Sequence, residues 1–174
     1  DILVYRTGNI PEEPSGTKPR RFPSSFEQKI GRALLQTFYQ PDSKISWKKD
    51  AVSLAENIIK KHNINVVFAT APPFTDFLIA KEIYEKHGIP YIIDYRDEWI
   101  ENPFHFYATP FHKLYSLKLE KEILRKAHKT IVITRRAKES LLLRHRFLSH
   151  NDVSIIPHGF DPEDFEKAGN VSPD

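Results

Sequence analysis

The sequence predicts an α/β domain of three layers, with helices on both faces of a mainly parallel sheet. Three observations carry that prediction. Short apolar runs alternate along the chain with longer stretches of helical periodicity. The runs at residues 65–70, 89–93, 130–134 and 153–156 are nearly continuous in apolar residues, as strands buried on both faces are. Each helical stretch between two runs is long enough for the crossover that parallel strands require.

Taken in order, Ile2-Leu3-Val4-Tyr5 reads as a strand at the opening. No methionine stands before it or anywhere in the chain, an opening expected of an interior piece of a longer protein. Residues 7–25 are rich in Gly, Pro, Ser and Arg and predict a long loop. Its Lys18-Pro19-Arg20-Arg21 cluster fits either a solvated stretch or a contact with an anionic acceptor or lipid headgroup. Ser25 would cap a helix through Phe26, Ile30, Ala33, Leu34, Thr37 and Phe38, which Pro41-Asp42 ends. A second helix is expected from Trp47 to His62, with Val52, Ala55, Ile58 and Ile59 inward.

The run at 65–70 is broken by Ala71-Pro72-Pro73, and a helical pattern from Phe74 to His87 stops at Gly88. The run at 89–93 ends in Asp94-Tyr95-Arg96-Asp97-Glu98-Trp99. A loop over 100–110 follows, concentrated in aromatics at Phe104, His105, Phe106 and Tyr107. Leu114, Leu117, Glu120, Ile123 and Leu124 mark successive turns of a long helix over 111–127. The strand at 130–134, a short helix over 136–145 and the strand at 153–156 complete the series, which Pro157-His158-Gly159-Phe160-Asp161 closes.

Composition bounds the function. A chain of 174 residues with 40% hydrophobic content supports one full core. Its apolar runs are far too short to span a bilayer and no signal-peptide pattern opens it, so a cytoplasmic domain is expected. With no cysteine, disulfides and thiolate metal sites are excluded. A net charge of +3 permits contact with phosphates or an anionic membrane without requiring it, and the basic residues are too dispersed for a nucleic-acid binder. Six glycines, with no phosphate loop, no paired dinucleotide glycines and no Gly-x-Ser-x-Gly, argue against a dinucleotide cofactor and a serine nucleophile. His62, His87, His112, His128 and His145 lack ligand spacing, so surface placement and no metal are expected.

Charge at the carboxyl end of a buried strand is where α/β folds keep ligand sites. Asp94 and Asp97 can position or deprotonate a sugar hydroxyl, and Arg96 can hold a phosphate or carboxylate by two hydrogen bonds. Trp99 can stack on a sugar face or plug the base of the loop. The competing interpretation is an Arg–Asp ion pair ordering a strand-end loop around a buried tryptophan. Thr70 and Pro73 belong to a second strand-end turn, whose helix N-terminus favours an anion or hydroxyl unless it is only a rigid turn capped by Thr75. Thr134, ending the third strand, and Tyr107 in the aromatic loop complete the candidate binding residues. Glu120 lies among apolar positions and is expected to be partly buried and paired.

These segments resemble the N-terminal, acceptor-side domain of a GT-B glycosyltransferase of the subfamily-4 type. The resemblance rests on Thr70-Ala71-Pro72-Pro73, Gly88-Ile89-Pro90 with Asp94 to Trp99, Leu119-Glu120 with Ala127-His128-Lys129, and Ile156 to Asp161. Pro41-Asp42 followed by Trp47 also looks like a segment of that subgroup. It implies a Rossmann-like half of a GT-B fold over residues 1–156, its first βα unit lying upstream, with an interdomain linker starting at 157–174. The implied activity is sugar transfer from a nucleotide-sugar donor to an acceptor hydroxyl, without metal or cofactor, in cell-surface polysaccharide or glycolipid synthesis.

Arg96 and Asp97 match the place where many relatives carry a His-Asp pair near the transferring sugar, and are the implied catalytic residues. His158 stands where Asn is usual, beside Gly159 and Asp161 in the linker motif. The donor would be held by a C-terminal domain, leaving this piece inactive alone. A lipid-linked acceptor would bring it to the inner face of the membrane. Two other readings remain: a non-catalytic α/β binding module, and a GT-B sugar-nucleotide epimerase.

Overall fold

Four parallel strands lie side by side in sequence order: β1 (Val67–Ala71), β2 (Tyr91–Tyr95), β3 (Lys129–Val132) and β4 (Val153–Ile155). This is the arrangement in the computed structural model, which describes residues 2–7, 36–37, 39–102 and 107–159. The register aligns Ala69, Ile93, Thr130 and Val153 in one row across the sheet, and all four are buried. Helix α1 (Lys48–Lys61), entered by a 3₁₀ turn at Ile45–Trp47, precedes β1. Helices α2 (Thr75–His87), α3 (Pro110–Lys126) and α4 (Arg135–Arg144) are the three crossovers.

Local chemistry sets the helix ends. Gly88 takes φ 70°, the left-handed conformation that favours glycine, and its N–H returns to the Tyr84 carbonyl at 2.8 Å to close α2. Pro110 opens α3 where no N–H is needed. Thr134 caps α4, its Oγ1 accepting from the Ala137 N–H at 3.1 Å. The cap of α2 comes from far away. Asp42 accepts from the Thr75 N–H at 2.9 Å and from its hydroxyl at 2.8 Å, so Thr75 is capped rather than capping.

The α/β class, the parallel sheet and its Rossmann-like arrangement with helices match the sequence. Tyr91 donates to the Ile123 carbonyl of α3 at 2.6 Å and packs edge-on against Tyr84 of α2. Tyr95 on the same face meets Phe77 of α2 and Glu120 of α3. Successive crossovers between adjacent strands fall on one side of a sheet when their hand does not change. The opposite face is partly covered at Ile92 and Ile131 and open at Phe68, which is 59% exposed.

Other expectations are corrected. Residues 2–5 form no strand: Leu3 and Val4 are exposed, while Tyr5 bonds His62 at 2.7 Å and Thr7 accepts from the Trp47 indole, laying the segment along α1. β2 continues through Asp94 and Tyr95, and β3 stops two residues short of Thr134. Leu114 is 60% exposed, because α3 turns His112, Ser116, Glu120, Ile123 and Leu124 inward instead. His112 and His145 are buried rather than superficial. Ala51 joins Val52 as the buried pair of α1, with Ala55, Ile58 and Ile59 half-buried. Of the helix expected over 26–38, Gln36 and Thr37 are described and helical. Lys18, Arg20, Arg21, Phe104, His105, Phe106, Phe160 and Asp161 lie outside the described residues.

Candidate functional site

β2 does not end freely. The Arg96 N–H donates to the Ala71 carbonyl at 3.0 Å, extending the ladder one residue past Tyr95. The chain then turns outward through Arg96 and Asp97, both exposed, and dives back at Trp99, which is 1% exposed. Its ring stacks on Phe74 with centroids 4.7 Å apart and planes 12° from parallel. Three charged residues are thus strung between a strand end and a buried aromatic anchor. Trp99 plugs the base of the loop, as one of its two readings had it, and the same side chain also lines the cavity beside the loop. No Arg–Asp ion pair orders the loop among the described residues; Arg96 donates instead to His158 Nδ1 at 3.0 Å.

Between this loop and the first turns of α4 lies a cavity of about 480 Å³. Its inner walls are the buried Tyr95, Trp99, Val132, Ala137 and Leu141. Arg96, Asp97, Glu98, Thr134 and Ser140 supply its polar rim. Such a volume falls within the roughly 300–1,000 Å³ of small-molecule sites.

Arg144 brings a fixed cation to the same wall. Its side chain is 14% exposed. Nη1 lies 3.2 Å from Glu120 Oε2, and Nη2 meets Glu101 at 3.1 Å and the Ser140 hydroxyl at 2.9 Å. Burial alone would lower the guanidinium's proton affinity, but the charges of Glu120 and Glu101 outweigh it and hold Arg144 above its ordinary value. The Ser140 hydroxyl and Arg144 hold the Glu101 carboxyl below its own. Glu120 is fully buried, so the expectation of a paired acid holds more strongly than stated. His145 Nε2 lies 2.7 Å from its Oε2, and the Tyr95 hydroxyl donates to Oε1 at 3.4 Å. Burial first, then the Glu120 charge, pushes the Tyr95 phenol well above its usual range.

Of the residues singled out in the sequence, Arg96, Asp97, Trp99 and Thr134 meet at this cavity. Thr70 and Asp94 lie side by side on β1 and β2 and satisfy each other, the threonine hydroxyl donating at 3.0 Å. Pro73 lines a second hollow of about 430 Å³ beside Asp42, which shares Asp97 and Asn102 with the first. The helix N-terminus there already holds an anion, the Asp42 carboxylate. Tyr107 donates to the Trp99 carbonyl at 3.5 Å and is half-buried, which pushes its phenol up to about 12. His158 reaches the site through Arg96, and Gly159 is exposed with open space around it.

Sequence reasoning missed Ser140 and Arg144. Only the buried acid at Glu120 hinted that a cation had to arrive from elsewhere. Among the described residues no cluster of acids and histidines has metal-ligating geometry, and no helix is long and apolar enough to cross a membrane.

The profile of Glycosyltransferase Family 4 matches residues 11–164. The chain belongs to that family. Membership makes it a glycosyltransferase-type domain, and the parallel helix-flanked sheet is the Rossmann-like arrangement expected of a family 4 domain. No curated protein matches the chain.

Proposed function

We propose that this domain holds the acceptor for sugar transfer from a nucleotide-sugar, with the acceptor hydroxyl seated in the cavity beside Asp97. The observation that carries the proposal is the cavity's composition. Carboxylates at Asp97 and Glu98 can accept from sugar hydroxyls, while Arg96, Arg144, Thr134 and Ser140 can donate to them. The apolar inner wall suits the C–H face of a sugar ring. Asp97 orients the attacking hydroxyl by accepting its hydrogen bond, and Arg96 faces the charge that develops on the departing phosphate. Arg96 is aimed by His158, so the two positions at which this chain departs from the usual family pattern act as a pair.

On this proposal the acceptor belongs to cell-surface polysaccharide or glycolipid synthesis, no metal or cofactor takes part, and residues 157–174 lead to a donor-binding half. Residues 1–174 then bind an acceptor without transferring sugar to it.

Saturation-transfer NMR with a panel of hexoses, N-acetylhexosamines and their 1-phosphates tests the proposal on the intact chain. Contact with at least one of these sugars is expected, weakened about tenfold or more by Asp97→Asn or by Arg144→Lys, which keeps the charge but loses the planar fork. Sugar binding untouched by both substitutions would remove the cavity from the account.

A further inference from the structure

The cavity beside Asp97 has a neighbour. The hollow of about 430 Å³ lies between the loop before the 3₁₀ turn, the β1–α2 turn and the loop after β2. The two spaces share Asp97 and Asn102 on their common border. They also share one aromatic stack. Phe74 lines the hollow and Trp99 the cavity, and the two rings lie 4.7 Å apart with planes 12° from parallel. Asp97 is exposed at the junction, so a ligand that meets it from one space has the other open to its next unit.

The hollow has the mixed lining that a sugar ring needs. Pro72, Pro73 and Phe74 give it an apolar side for the C–H face of a ring. Asp42 and Asp97 can accept from hydroxyls, and Lys44 and Asn102 can donate to them. Its outer wall is fixed before any ligand arrives. Asp42 accepts from the Lys44 N–H at 2.9 Å and from the Thr75 N–H at 2.9 Å, which ties the loop to the start of α2. That contact also decides the ligand's charge. A helix N-terminus attracts phosphate, but the Asp42 carboxylate already holds this one. A phosphate in the hollow would meet two carboxylates, Asp42 and Asp97, against the Lys44 ammonium.

We infer that the acceptor is at least a disaccharide, uncharged at its second unit, with one ring in the cavity and the next in the hollow. Asp97 stands at the linkage between them, beside the hydroxyl that receives the sugar. The second ring fixes the direction of that hydroxyl, so binding energy from a non-reacting unit serves orientation at the reacting one. The inference rests on the proposed acceptor site and adds its length and its charge.

Titrations of the intact chain by saturation-transfer NMR test it, comparing maltose, cellobiose, lactose and diacetylchitobiose with glucose, galactose and N-acetylglucosamine. At least one disaccharide is expected to bind about tenfold or more tightly than either of its units. Ser43→Trp sets an indole at the exposed edge of the hollow and should shrink that ratio to within about twofold. Lys44→Ala removes one donor and should lower the ratio about threefold. Ser43 is exposed, so thermal unfolding of the tryptophan variant should match that of the unaltered chain. Disaccharides no tighter than their units, or a gain that Ser43→Trp leaves intact, would overturn the inference. Monosaccharide contacts still sensitive to Asp97→Asn would then leave the acceptor site itself standing. A hexose 1-phosphate whose advantage over its hexose is erased by Ser43→Trp would assign the hollow to phosphate and overturn the inference too. Absence of contact with every sugar would remove both the site and its extension.

Discussion

The same face of the sheet is covered in two ways. Towards α2 the covering is aromatic: Phe74, Phe77, Tyr95 and Trp99 pack ring against ring, with centroids 4.7 to 6.3 Å apart. Towards α4 it is ionic, with Glu120, Arg144 and His145 sharing a carboxylate that water does not reach. The aromatic side is what a core needs, since apolar area leaves water and directional bonds are not required. The ionic side is a poor route to stability, because desolvating two charges offsets most of what their attraction returns. What it does is hold one guanidinium at a fixed place on the cavity wall. One half of the core anchors the loop, and the other aims a charge.

Breaking each half should therefore hurt differently. Glu120→Ala is expected to cost about 3–5 kcal/mol in chemical denaturation, because Arg144 and His145 are left buried without their carboxylate. Replacing all three by apolar residues of similar size (Glu120→Leu, Arg144→Met, His145→Phe) should cost far less, yet abolish sugar binding. A triple variant as unstable as Glu120→Ala would show the ionic side to be a stability device after all. On the aromatic side, Trp99→Ala should cost about 3–5 kcal/mol. Trp99→Phe should cost only about 1 kcal/mol, since stacking survives and the buried indole N–H, which has no hydrogen-bond partner, is removed.

A smaller effect sharpens the comparison at the start of α2. Asp76 has one buried carboxylate oxygen without a partner. Burial and, after it, the nearby Asp42 charge raise its pKa from 3.8 to about 6. The folded chain then binds this proton more tightly than the unfolded one, so stability falls as pH rises from 3.8 to about 6, and the penalty is complete above that window. Asp76→Asn should gain about 1 kcal/mol in urea denaturation near neutral pH, allowing for the group's partial exposure and its favourable place at a helix N-terminus, and nothing well below the window. The smallest change belongs to the surface. Arg135→Ala removes an exposed pair with Glu139 at 2.8 Å and should shift stability by no more than about 0.5 kcal/mol.

The strands and crossover helices were legible in the sequence because their signals are local. Gly88 after a helical run, Pro110 before one and Thr134 two residues past β3 each act within a turn. The cluster after β2 was legible as a candidate site because a strand end places charge at the sheet's carboxyl edge. What the sequence hid acts at long range. Asp42 caps a helix that begins 33 residues later. Arg144 finds Glu120 across 24 residues, and nothing near either names the other. Ile2 to Tyr5 carries a strand's composition without a strand partner among the described residues. Trp99 could equally have faced a ligand or a core, and it has both a ring partner in Phe74 and a place on the cavity wall.

The most direct test of the central claim is an amide chemical-shift map of the ¹⁵N-labelled chain, titrated with the strongest-binding sugar of the panel. The account predicts shifts concentrated at Arg96, Asp97, Glu98, Thr134, Ser140 and Arg144, with α1 silent. Shifts centred elsewhere on the domain, or no shift with any sugar or sugar phosphate, would contradict it.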